Sequence, residues 1–162
     1  MPVPEYTFKA FITNPLLLSA FIAWCVAQIA KTIIYYLVNH EFNWERITGA
    51  GGMPSSHSAT VCALVAATAI VYGPGGFELP MAVFFAFIVM YDAMGVRRET
   101  GEQAKVLNEM LTAFRDIGKT LQTRDPMDQF KELVGHTPLQ VLIGAVLGII
   151  MGFVVCGSMG FI

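Results

Sequence analysis

The chain has 162 residues, a length for one domain, of which 55% are hydrophobic and only 14% charged, with a net charge of −2. An average soluble domain is about 25% charged, so the composition excludes a disordered chain and points to a protein embedded in a membrane. No basic stripe gathers anywhere, which argues against a nucleic-acid partner.

The N-terminus, MPVPEYTFKAF, lacks the charged lead and cleavable apolar core of a secretory signal, so the first long apolar segment is expected to stay in the mature protein. Residues 4 to 12 read as a short amphipathic helix at the membrane interface, with Phe8, Phe11 and Ile12 toward lipid. Pro15 opens the first spanning segment, residues 15 to 38, long enough for a hydrocarbon layer ~30 Å thick. Within it Trp24, Gln28, Lys31 and Tyr35 recur at helical spacing as one polar-tipped stripe. A lysine this deep either snorkels to the interface or faces a partner or a watery cavity, and the second reading makes it a functional candidate.

Residues 39 to 55 form a polar, glycine-rich connection with His40, Glu41 and Arg46, in which His40 reads as a solvated loop residue. The connection ends in GGMPSSHSA, Gly51 to Ala59, where a long apolar helix begins. A helix start offers unpaired backbone N–H groups and a positive dipole end, both suited to an anion such as phosphate, and His57 sets a titratable group there. The plainer reading has Ser55 capping the helix and His57 satisfied at the interface. The second span, residues 56 to 72, is rich in Ala, Ser and Thr, which suits close packing between membrane helices, and YGPGG, Tyr72 to Gly76, ends it.

The third span, residues 79 to 94, is apolar through Phe84, Phe85, Phe87 and Ile88 and changes character at Tyr91-Asp92. At about 16 residues and ~24 Å of rise the second and third spans are short, so both are expected to end below the membrane surface and leave a recess. In the polar 95–135 loop, Ala104, Leu107, Leu111, Phe114 and Ile117 share a face, with Glu102, Lys105, Glu109 and Asp116 elsewhere. That pattern predicts an amphipathic helix, lying on the membrane or covering a site.

The last span starts near Thr137, where Thr137, Pro138 and Gln140 fit a capping box with proline at the first helical position. Gly144, Gly148, Gly152, Cys156 and Gly160 form a small-residue stripe for close approach by a neighbour, within the chain or across a homodimer. Cys25, Cys62 and Cys156 lie in apolar segments without metal-ligand or disulfide spacing and read as small core residues. The expected fold is therefore all-α. It is one membrane-embedded domain over residues 1–162, with about four spanning helices, a short N-terminal interfacial helix and the amphipathic helix of the loop.

Alternating direction of the spans gathers the unusual residues. If the first span runs from side A to side B, Lys31 lies toward B, the second span starts at B with His57, the third ends at B with Asp92, Arg97 and Arg98, and the last starts at B beside His136. Side B also carries eight of the ten Lys and Arg residues, which by the positive-inside rule makes it cytoplasmic. Two histidines, a buried lysine and two arginines around helix N-termini suit phosphoryl transfer without a metal. The cations neutralise charge on the equatorial oxygens, while one histidine attacks phosphorus and the other protonates the departing oxygen. No carboxylate cluster or His/Cys spacing suggests a metal, and no cofactor is expected.

GGMPSSHSA, YDAMGVRRETGEQA (Tyr91 to Ala104) and GHTPLQVLIG (Gly135 to Gly144) resemble the divergent branch of the type 2 phosphatidic acid phosphatase superfamily, relatives of the vanadium haloperoxidases. The likeness spans nearly the whole chain, with the three motifs in order. It implies an all-helical membrane phosphatase acting on lipid phosphates or pyrophosphates. By that likeness Lys31 matches the lysine of the first motif, His57 the general acid of the second and His136 the nucleophile of the third.

Several positions depart from the pattern. Val38-Asn39 stand where the first motif has Arg-Pro, and Ser56 stands where the second has glycine, keeping its backbone N–H. Gln129-Phe130 stand where a serine-arginine pair precedes the nucleophile; Arg97 or Arg98 is placed to substitute for that arginine. Gln140 stands where the third motif has aspartate, and a neutral amide orients a ring without stabilising an imidazolium as a carboxylate does.

The expected protein is an integral membrane hydrolase of a phosphorylated lipid, in the bilayer of a bacterial cytoplasmic membrane. His136 and His57 would be catalytic with Gln140 beside them, Lys31, Ser55, Ser56, Arg97 and Arg98 would bind phosphate, and Asp92 would orient an arginine or end the third span. The rival expectation is a non-enzymatic protein that binds or translocates such a lipid in the same pocket, favoured by Gln140 and the missing arginines.

Overall fold

The computed structural model describes residues 8–41, 51–116, 130 and 135–162. Residues 4–7 of the expected interfacial helix, together with Arg46, Ile117 and Gln129, lie outside the described residues. The described residues are helical: α1 (Phe8–Ile12), α2 (Pro15–Asn39), α3 (Ser56–Tyr72), α4 (Glu78–Met94), α5 (Val96–Asp116) and α6 (Pro138–Ser158).

Local chemistry sets the ends. The Asn14 side chain accepts from the N–H groups of Leu16 and Leu17, and Pro15 between them takes the first helical position, so this cap starts α2. His40 closes α2 in the left-handed conformation at φ 55, its N–H donating to the Tyr36 carbonyl at 2.8 Å. Its place is thus a helix stop, one of the few tolerated by a non-glycine residue. Ser55 caps α3 and the expected Thr137/Gln140 capping box opens α6.

Among the described residues, three helical runs are long and apolar enough to cross a membrane: Pro15–Asn39, Glu78–Phe114 and Pro138–Ser158. Ser56–Tyr72 is apolar but shorter. The third span ends at Met94 after 17 residues, the short length expected of it, with Gly95 outside helical geometry at φ −95 and ψ −90. The Gly95 N–H donates to the Tyr91 carbonyl at 2.9 Å and its carbonyl accepts from Glu99 at 3.0 Å, so α5 follows directly. The buried edge of α5 is Gly101, Ala104 and Asn108, and Leu107 and Phe114 of its expected apolar face are exposed, as a face turned to lipid would be.

α3 is the central helix, packed against α2, α4 and α6. Its neighbours come close because the facing residues are small: Ala23, Ala27, Ala59 and Ala63 form one fully buried cluster. In lipid the gain comes from close van der Waals fit and not from excluding water, which rewards small side chains at the seam. A Cβ on Gly144 would strike the Ser55 carbonyl, one on Gly148 the Ala59 carbonyl, and one on Gly152 would lie 2.7 Å from the Ala66 Cβ. The glycine stripe of α6 is therefore covered at Gly144, Gly148 and Gly152 by the start and body of α3, the neighbour within the chain rather than the one across a homodimer.

The register also fixes direction. Ser55, Ala59 and Ala66 of α3 meet Gly144, Gly148 and Gly152 of α6 in the same order, so these two helices run parallel. Lys31 of α2 meets Ser56, while Ser19 meets Cys156 at the other end, so α2 runs opposite to both.

Candidate functional site

At side B the start of α3, the start of α6, the last turns of α2 and the end of α4 converge. The backbone N–H of Ser55 donates to the Gln140 carbonyl at 3.0 Å, and the N–H of His136 donates to the Ala93 carbonyl at 2.9 Å. These two backbone bonds pin both histidine-bearing segments.

His57 Nδ1 lies 3.4 Å from His136 Nε2, the rings meeting edge to face with centroids 5.6 Å apart. His136 is buried and His57 half-buried. Lys31, only 2% exposed, reaches with Nζ to 3.5 Å from Ser56 Oγ, the residue beside His57. Its stem runs along Gly52, where an added Cβ would sit 3.4 Å from the lysine Cγ. Snorkelling to the interface is thus not how this lysine is accommodated.

The proton arrangement on His136 follows from one atom. Gln140 Oε1 accepts the Thr137 backbone N–H at 3.1 Å and also lies 3.3 Å from His136 Nδ1. An N–H only donates, so the amide atom facing it is the carbonyl oxygen, and an oxygen acceptor requires Nδ1 of His136 to carry the hydrogen. In the neutral ring Nε2 then holds a lone pair aimed at His57, whose Nδ1 is the donor between the two rings.

The chain resembles known proteins along most of its length. The model of the Divergent PAP2 family matches residues 12–151. The chain belongs to this family. It is 38% identical over 150 residues to the uncharacterized membrane protein YuiD of Bacillus subtilis (strain 168), an alignment covering 88% of this chain and 94% of that one. No solved structure matches. The chain is accordingly a phosphatase-related membrane protein, of the divergent PAP2 branch that its motifs resemble.

Of the residues expected at the site of this Divergent PAP2 protein, Lys31, Ser56, His57, His136 and Gln140 come together. Ser55 does not offer itself to a phosphate, which corrects that expectation. It is fully buried, its N–H is given to Gln140, and its Oγ accepts from the Ser58 N–H at 3.3 Å and the Ser58 hydroxyl at 3.1 Å. Asp92 is half-buried on the last turn of α4, next to the Ala93 carbonyl that holds His136. Arg98 is exposed on the first turn of α5; the side chain of Arg97 lies outside the described residues. Among the described residues no group of three or more His, Cys, Asp and Glu side chains is placed to hold a metal ion.

Sequence reasoning missed Asn108. Its side chain clamps the backbone of Phe130 in both directions, Nδ2 donating to the carbonyl at 2.9 Å and Oδ1 accepting the N–H at 2.8 Å. This ties α5 to the segment leading into His136, at one of the positions where the superfamily's serine-arginine pair would fall. An amide on the helix face between Ala104 and Leu111 was the available signal.

Proposed function

We propose that the protein hydrolyses a phosphorylated lipid, a lipid phosphate or a polyprenyl pyrophosphate, without a metal and through a phosphohistidine on His136. The observation that carries this is the 3.4 Å contact of His57 Nδ1 with His136 Nε2, beside a buried lysine. The lone pair of Nε2 attacks phosphorus, the bond to the leaving oxygen breaks, and the His57 proton passes to that oxygen. A water then attacks the phosphohistidine, His57 takes its proton, and inorganic phosphate leaves with His136 restored. Lys31 and Ser56 neutralise and donate to the phosphoryl oxygens, and Arg97 and Arg98 add positive charge from α5. Attack and departure are in line, so the phosphoryl group inserts between the two rings and replaces their direct contact.

A second reading is favoured by one observation: the group behind His136 is an uncharged amide already engaged by a helix cap. In it the same residues bind or translocate the phosphorylated lipid without turnover. Phosphate release from glycerolipid and polyprenyl phosphates in detergent separates the two. The unmodified protein should release phosphate, with His136→Ala and His57→Ala slower by at least about a hundredfold, the usual scale for a general acid or base. Binding without release in the unmodified protein selects the second reading.

A further inference from the structure

Gln28 lies on α2 one turn before Lys31, and side chains three apart on a helix are neighbours. It is 6% exposed, and its Oε1 is buried with no hydrogen-bond partner. Other buried polar side chains do have one: Thr68 donates to the Leu64 carbonyl at 2.7 Å, Asn108 is held by Phe130, and Ser58 by Ser55. An amide oxygen left unmet in a protein interior keeps its full desolvation cost, a cost that methionine or leucine at the same place would avoid. The unmet atom is an acceptor. Phosphate oxygens are acceptors too, so they can be met by the Lys31 ammonium but not by Gln28 Oε1. What Oε1 lacks is a donor, one helical turn from Lys31.

We propose that Gln28 is a specificity-determining residue whose Oε1 accepts a hydrogen bond from a hydroxyl next to the phosphate ester of the lipid. The site then prefers a glycerol-type phosphomonoester carrying a free hydroxyl over an alkyl or prenyl phosphate whose adjoining carbons bear none. This rests on the phosphorylated-lipid reading above and narrows it. A site with a buried acceptor discriminates strongly against the analogue that leaves that acceptor unpaired.

The test uses the full-length protein in detergent and two probes. One is a mono-acylated glycerol phosphate with a free hydroxyl on the carbon beside the phosphate-bearing one; the other is the same molecule with that hydroxyl replaced by hydrogen. Phosphate release gives kcat and KM for each, and the ligand-induced rise in melting temperature reports binding. The unmodified protein should favour the hydroxylated probe at least tenfold in kcat/KM, or in binding if it does not turn over. In Gln28→Met the ratio should fall to near one, with the deoxy probe handled as before. Equal handling of both probes by the unmodified protein overturns the inference and leaves the lipid phosphatase reading standing; this comparison needs no variant to fold. An unchanged preference in Gln28→Met, with only the melting temperature altered, also overturns it. Neither release nor binding of either probe overturns the inference, and release from the polyprenyl phosphates then decides the phosphatase reading by itself.

Discussion

Gln140 Oε1 serves a helix cap and a histidine with the same pair of lone pairs. Its position in the capping box was legible in the sequence, and so was its place after the nucleophile; that one oxygen does both required the 3.1 and 3.3 Å contacts of the folded chain. Glutamate is itself a capping-box residue, so Gln140→Glu should leave the melting temperature nearly unchanged. A carboxylate would strengthen the bond to the ring once it becomes positive, by an amount on the order of 1.4 kcal/mol, and so raise kcat about tenfold. Gln140→Leu removes the acceptor from both donors. It should lower stability by about 1 kcal/mol in thermal unfolding and cut phosphate release further than that loss explains. Ser55 is the converse case. The plainer reading of it as a cap holds: its hydroxyl accepts from the Ser58 N–H at the start of α3 and is fully buried.

At the scale of elements, the seam between α3 and α6 decides how close the two imidazoles come. The stripe of glycines was legible because small residues spaced by four line one side of a helix. Its partner was not legible, since α3 and a second copy of α6 offer equally plausible surfaces on paper. Gly148→Ala should destabilise the protein by about 1–3 kcal/mol, because its Cβ meets a carbonyl on a helix that has no free direction in which to move. Gly144→Ala should add a loss of activity to a similar loss of stability, since it displaces Ser55 and with it His57. Gly75→Ala, where an added Cβ meets nothing within 4 Å, is the control and should stay within about 0.5 kcal/mol. Melting curves of the three variants in one detergent check all of this.

For the whole molecule, alternation of apolar helices was enough to foretell a common mouth for Lys31, His57 and His136. The parallel run of α3 and α6 against α2 is the geometry that realises it. The side of the membrane on which this mouth opens is a matter of charge. Arg98→Cys, in a protein whose half-buried Cys25 is replaced by serine, should react in intact cells only after a membrane-impermeant maleimide is admitted to the cytoplasm. Reaction from outside would place the basic face, and the histidines with it, on the opposite side.

From sequence alone came the membrane class, the helices, the caps and the short list of residues worth suspecting, because hydropathy, capping chemistry and motif spacing are local properties written in neighbouring letters. The tertiary structure decided which of those residues meet. It withdrew Ser55, spent the glycine stripe within the chain and exposed an unmet acceptor on Gln28. Each of these depends on how two distant helices approach at a separation of a few ångströms, and the order of residues along either helix does not contain that distance.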